Sequence, residues 1–178
     1  MSDYFHELVP LISEKGIRSK VIELGLTLKK RFEGSEPIAI CILNGSFMFY
    51  SDLIRAVDID LSCEFLGVSS YKDQKVSTGE VAVTLDIETT LHGKDIILIE
   101  DLVDSGLTMN FLINSLKARN PKSLTTVALL SKPKAFKVPT QIDYVGFEIG
   151  NEFIVGYGID YAGLYRNLPY LSILPEKK

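Results

Sequence analysis

A chain of 178 residues, 46% hydrophobic and 24% charged, has the make-up of a folded domain with a sizeable core and not of a disordered tract or coiled coil. Its formal net charge of −4 argues against nucleic acid as the main partner, because domains built for that task carry a basic excess. No run approaches the ~18–20 consecutive apolar residues that cross a bilayer.

In chain order, the opening "MSDYFHELVPLISEKG" shows no basic start followed by an apolar core, so no leader is expected. Apolar residues at Ile17, Val21, Leu24, Leu28 and Phe32 recur at helical spacing, and Gly34 follows as a stop. Residues 37–43 ("PIAICIL") form a continuous apolar run of strand length. The turn "NGS" leads into a helix over 47–57, with Phe47, Tyr50, Ile54 and Val57 on one side. Strands are predicted over 60–68 and 81–87. The polar stretch between them, "SSYKDQKVSTGE", has no periodic apolar face and reads as a mobile loop.

A strand over 95–101 precedes a helix over 107–120, whose inner face is predicted to carry Leu107, Phe111, Asn114 or Ser115, and Ala118. Strands over 123–130, 142–149 and 153–159 complete the reading. Cys41 and Cys63 lie in apolar runs and are expected to be buried free thiols. With only two histidines beside them, they cannot assemble a standard zinc site, and a reducing cytoplasm is the expected compartment. There is no internal repeat and no linker, so residues 1–178 are read as one domain.

Apolar strands alternating with helices imply a parallel sheet covered on both faces. In such sheets ligands bind outside the carboxyl ends of the strands. The run "IILIEDLVDSGLT" (96–108) ends a strand at that edge with Glu100 and Asp101, then supplies Asp104, Ser105, Gly106 and Thr108. Adjacent carboxylates call for water or a hard cation such as Mg²⁺. Gly106 lets backbone approach a ligand closely, and helix-start amides favour phosphate. Taken singly, each residue could be a solvated acid or a helix cap. Together, a phosphate cradle, a cation and hydroxyl-binding carboxylates suggest a phosphorylated sugar. The pattern lacks the lysine-bearing loop of nucleotide triphosphatases.

This run resembles the phosphoribosyl-diphosphate motif of purine phosphoribosyltransferases. "ILNGSFMFYSDLIR", "SSYKDQKVSTGE", "LLSKPKAF" and "VGFEIGNEFIVGYGIDYAGLYRNLPY" are similar, in the same order, to segments of the hypoxanthine (hypoxanthine-guanine) branch, so the resemblance covers nearly the whole chain. It implies an α/β type I phosphoribosyltransferase fold, with a central mostly parallel sheet flanked by helices and a small hood formed by terminal segments. It also implies transfer of a phosphoribosyl group from 5-phosphoribosyl 1-diphosphate to a 6-oxopurine with Mg²⁺, in a cytoplasmic homodimer or homotetramer that engages neither nucleic acid nor membrane.

The resemblance assigns roles residue by residue. Glu100 and Asp101 hold the ribose hydroxyls and Mg²⁺, and Asp104 is the general acid/base near the purine N7. The segment Asp104, Ser105, Gly106, Leu107 and Thr108 cradles the 5′-phosphate. Lys132 donates to the 6-oxo group, Phe153 stacks on the purine, and the Ile154 backbone reads the base edge. Asp160 lines the purine side and gives a second Mg²⁺ contact, while Arg166 contacts diphosphate. Asn44 and Gly45 form a diphosphate loop that in relatives often holds a non-proline cis peptide, and Ser70 and Tyr71 belong to a loop that closes over the site. Asn44 and Leu107 depart from relatives that carry basic or polar side chains there, which matters only if side-chain charge, and not backbone amides, does the binding. Two other classes stay open at this stage: an RNA-binding regulator on the same fold, and a phosphorelay receiver. The acidic balance weighs against the first, and the late position of the acid pair against the second.

Overall fold

The structure, a computed structural model, describes residues 8–70 and 81–175. Its elements are β1 (Val9–Ile12), α1 (Glu14–Arg31), β2 (Ile38–Leu43), α2 (Phe47–Val57), β3 (Ser62–Ser70), β4 (Val81–Leu85), β5 (Asp95–Val103), α3 (Leu107–Lys117), β6 (Ser123–Ser131), a short 3₁₀ turn (Pro133–Ala135), β7 (Tyr144–Glu148), β8 (Ile154–Val155) and β9 (Leu171–Ile173). Six strands form one sheet in the order β4-β3-β2-β5-β6-β7. All of its neighbours are parallel except the β3–β4 pair.

The central strands are apolar along their whole length because both faces are covered, and their alternation divides the core in two. Ala39, Cys41, Ile97, Ile99, Val127 and Leu129 pack against α1 and α2. Ile38, Ile40, Ile42, Ile96, Leu98 and Ala128 pack with α3. Helix α1 opens with the Ser13 side chain accepting from the Gly16 amide and closes with Lys29, Lys30 and Arg31 in its last turn, charges that suit the helix dipole.

A second, three-stranded sheet, β1-β9-β8, joins the two ends of the described chain. Val9 pairs with Ile173, and Ile154 pairs with the same residue from the other side. Ile154 and Leu171 are buried in the α1/α2 core, so this is the small terminal hood that the sequence implied.

Four details differ from the sequence reading. Helix α3 buries Met109, Leu112 and Leu116, while Phe111 is exposed; the helix has apolar residues on several sides, and the Met-Leu-Leu stripe is the one that meets the sheet. Helix α2 buries Phe49, Tyr50, Leu53 and Val57, leaving Phe47 exposed. Cys63 is an exposed thiol and not a buried one: it shares its β3 face with Phe65, which packs on Tyr50 with ring centroids 5.6 Å apart yet also stays exposed. The strand predicted over 153–159 stops at Val155, because Gly156, Tyr157 and Gly158 all have positive φ, which ends a strand. No helix among the described residues is long and apolar enough to cross a membrane.

Candidate active site

Strand β5 continues beyond the acid pair, since Leu102 and Val103 still pair with Leu130 and Ser131 of β6. Asp101 is buried. Its amide donates to Ser46 Oγ at 3.0 Å, and the Ser46 hydroxyl lies 3.4 Å from Asp101 Oδ1. Ser46 occupies the position before α2 but makes no side-chain cap bond there; its hydroxyl serves Asp101 instead. The sequence reading passed over Ser46 as part of a turn, because its partner lies 55 residues away.

Glu100 Oε2 is buried without a hydrogen-bond partner. Burial and then the charge of Asp101 push the Glu100 carboxyl well above the ordinary carboxylate range, and burial also pushes Asp101 up. A buried anionic oxygen with nothing to neutralise it favours a proton or a cation. Two hard oxygen donors, one of them orphaned, fit Mg²⁺. Among the described residues no group of three or more His, Cys, Asp or Glu is gathered for a metal, so Asp160 does not join Glu100 and Asp101 in one cage.

After β5 the chain turns through Asp104 and Ser105 to Gly106, whose φ of 78° starts α3. A side chain at Gly106 would strike Thr140 Oγ1 at 2.2 Å, so only glycine satisfies both the left-handed backbone and the space. The Ser105 hydroxyl accepts from the Leu107 amide at 3.4 Å. Glu100, Asp104, Ser105, Gly106 and Thr108 line one small cavity of about 100 Å³ at the start of α3, where helix-start amides and dipole favour an anion.

Lys132 follows β6 and is almost wholly buried. Its Nζ lies 3.2 Å from Asp104 Oδ2, and its amide donates to the Val103 carbonyl at 2.9 Å. The structure thus sets a cationic donor beside a carboxylate acceptor. Phe153 projects from the start of β8 half exposed, edge-on to Tyr161 with centroids 5.6 Å apart. Ile154 is buried within the hood.

The remaining predicted residues cluster around the loop after β2. Asn44 is exposed, and the Leu43–Asn44 peptide is cis. Gly45 lies so close to β5 that a Cβ there would sit 1.9 Å from Asp101 Oδ2, and a Cβ on Gly158 would sit 2.1 Å from the Gly45 carbonyl oxygen. The turn bearing Gly158 also holds Asp160 and Arg166, which pair at 2.7 Å; Arg166 Nη1 donates to the Gly158 carbonyl at 2.6 Å. Both side chains are therefore engaged with their own turn. Ser70 ends β3 opposite Val81, and Tyr71 lies outside the described residues.

Comparison with known proteins points the same way. Residues 13–162 match the model of the phosphoribosyl transferase domain. The chain is 46% identical over 164 residues to a hypoxanthine-guanine phosphoribosyltransferase of Bacillus subtilis, covering 92% of this chain and 91% of that protein. It is 42% identical over 175 residues to a hypoxanthine phosphoribosyltransferase of Buchnera aphidicola, covering 97% and 99%. A crystal structure of a hypoxanthine-guanine phosphoribosyltransferase from Bacillus anthracis, with HEPES in its active site, superposes with a TM-score of 0.89 at 45% identity, covering 93% of this chain and 98% of that one.

Proposed function

The chain belongs to the phosphoribosyl transferase family, and from that premise we propose a purine-salvage enzyme. It transfers the 5-phosphoribosyl group of 5-phosphoribosyl 1-diphosphate to hypoxanthine, and to guanine, forming IMP or GMP and releasing diphosphate. The whole chain acts as one phosphoribosyltransferase domain, in the cytoplasm, as a homodimer or homotetramer.

The observation that carries the reading is the Lys132 Nζ–Asp104 Oδ2 pair at 3.2 Å. A 6-oxopurine presents an acceptor, O6, beside the ring nitrogen N7 on one edge. Lys132 donates to O6, and Asp104 takes the N7 proton as N9 attacks C1 of the ribose and the C1–diphosphate bond breaks. Adenine would set an amino donor against the lysine donor and leave a buried charge unpaired, which is the costly kind of mismatch. Phe153 offers its exposed ring face to the base.

The helix-start amides of 105–108 and the Ser105 and Thr108 hydroxyls bind the 5′-phosphate. Glu100 and Asp101 orient the ribose hydroxyls and would hold Mg²⁺, with Asp160 as a separate contact nearer the diphosphate. When bound, Mg²⁺ supplies positive charge that stabilises the departing diphosphate. Asn44 and Gly45 present backbone amides to that group, and Arg166 adds its charge once released from Asp160. Closure of the Ser70–Tyr71 loop keeps water from the cationic sugar.

A spectrophotometric assay with 5-phosphoribosyl 1-diphosphate, Mg²⁺ and each of hypoxanthine, guanine, xanthine, adenine and uracil tests this. Turnover of hypoxanthine or guanine, abolished by chelator and absent with adenine and uracil, is expected. No turnover with any base would overturn the proposal.

A further inference from the structure

We propose that Tyr157 and Asp52, which no role above uses, are a positioning pair that seats the diphosphate loop. The assignment rests on the proposed function. The Tyr157 hydroxyl donates to Asp52 Oδ2 at 2.6 Å, joining the 156–166 turn to the middle of α2. Two elements of the site depend on that junction. Helix α2 begins directly after Asn44, Gly45 and Ser46, so its lateral position sets theirs. The 156–166 turn, in turn, lies directly on the Gly45 carbonyl through Gly158, and it carries Asp160 and Arg166.

The turn also packs on α2 through the core that Tyr157 and Ile159 share with Phe49 and Leu53, but that packing is apolar and non-directional. The turn's backbone bonds run within itself, from the Gly158 amide to the Arg166 carbonyl, or to the adjoining chain, from the Tyr157 amide to the Leu168 carbonyl. Tyr157 itself holds φ at 47°, a conformation that costs a bulky residue free energy and persists where its surroundings over-determine it. A tyrosine kept there, nearly buried, with its hydroxyl on a carboxylate, is a tie aimed across the junction. Burial and then the Asp52 contact push the Tyr157 hydroxyl far above its usual range, so it remains a donor throughout the working pH range. Asp52 also pairs with Arg55 one turn further along α2.

The two close approaches make the coupling short. The Gly158-to-Gly45 and Gly45-to-Asp101 contacts leave no room for an added methyl at either glycine. A turn that rides even slightly differently on Gly45 therefore moves the loop against Asp101, on the sugar-diphosphate side of the site. On the purine side Lys132 stands apart on the end of β6, while Phe153 meets the far part of the turn edge-on through Tyr161, so the sugar-diphosphate side carries the larger effect.

Tyr157→Phe keeps the ring and removes only the hydroxyl, so it is expected to fold. The KM for 5-phosphoribosyl 1-diphosphate should rise about tenfold, the loss expected when a hydrogen bond to a charged group is removed, while the KM for hypoxanthine changes by less than about twofold. Asp52→Ala should reproduce the effect, and Asp52→Asn, which still offers an oxygen acceptor, should restore most of it. Combining Tyr157→Phe with Asp52→Ala should add little to either change alone. An unchanged KM for the sugar diphosphate in Tyr157→Phe, or a matched rise in both KM values that tracks lost thermal stability, would overturn the positioning role while the proposed function stood. Absence of turnover in the unsubstituted protein would refute the proposed function, and this assignment with it.

Discussion

Gly45→Ala isolates the contact between the diphosphate loop and the acid pair. Gly45 is not among the residues with positive φ, so alanine meets no backbone penalty and the whole effect is steric. Its Cβ would lie 1.9 Å from Asp101 Oδ2 and 2.7 Å from Cγ. Reaching ordinary van der Waals contact requires a separation greater by about 1.5 Å. Gly158 blocks retreat of the loop on one side, so much of that movement falls on the Asp101 carboxylate and breaks its arrangement with Ser46.

Overpacking of this kind costs ~1–3 kcal/mol, which at ~2–4 °C per kcal/mol for a protein of this size lowers Tm by several degrees without unfolding it. A catalytic group displaced by about 1 Å costs ~10²-fold in rate, or ~2.7 kcal/mol of transition-state stabilisation. Initial rates across a grid of Mg²⁺ and 5-phosphoribosyl 1-diphosphate concentrations should show kcat/KM for the sugar diphosphate falling about a hundredfold, with a raised Mg²⁺ requirement. A kcat/KM within about threefold of the unsubstituted enzyme, at an unchanged Mg²⁺ requirement, would refute the reasoning.

Asp104→Asn should lower kcat by ~10²–10⁴ while the fold survives, since it removes the proposed general base, a half-exposed carboxylate; near-normal turnover would take Asp104 out of the chemistry. Lys132→Ala should damage use of hypoxanthine and guanine yet leave sugar-diphosphate binding, followed by calorimetry, within about threefold of its original strength. Glu100→Gln should abolish most activity but raise Tm in metal-free buffer at neutral pH. The sign follows from burial, which raises the Glu100 carboxyl above its unfolded range: its contribution to stability is present in acid and lost as pH rises through the raised value. Glutamine removes that loss, so a Tm difference that vanishes on acidification is expected, and a variant less stable than the parent at neutral pH would count against the buried charge.

The parallel sheet was legible because its strands obey a local rule: "PIAICIL", "DIILIED" and "SLTTVALL" are apolar throughout, as two-sided burial demands. The tight turn into α3 was legible because Gly106 and its neighbours lie within a few residues of one another. What escaped the sequence depends on distant partners. The hood was expected only through the family resemblance; its strands β1 and β9, with four and three residues, are too short for a periodic signal of their own and exist because Val9 meets Ile173. Ser46 was read only as part of a turn, because its partner Asp101 stands 55 residues away. The end of β8 was missed because "FIVGYGI" reads as alternating strand, and only its positive φ values show the turn that carries Asp160 and Arg166 to the site.

The hood also sets an order of assembly on the ribosome. The six-stranded sheet is complete once β7 has emerged, but the pairing of β1 with β9 waits for residue 173. Until then Ile154 lacks its strand partner and the apolar face that receives Leu171 stays open. Contacts this far apart in sequence carry the largest loop-closure entropy and form late. A nascent chain can therefore form the turn at Gly106 and the start of α3 before the hood has closed over Ile154, and the arrival of β9 decides when the hood is complete.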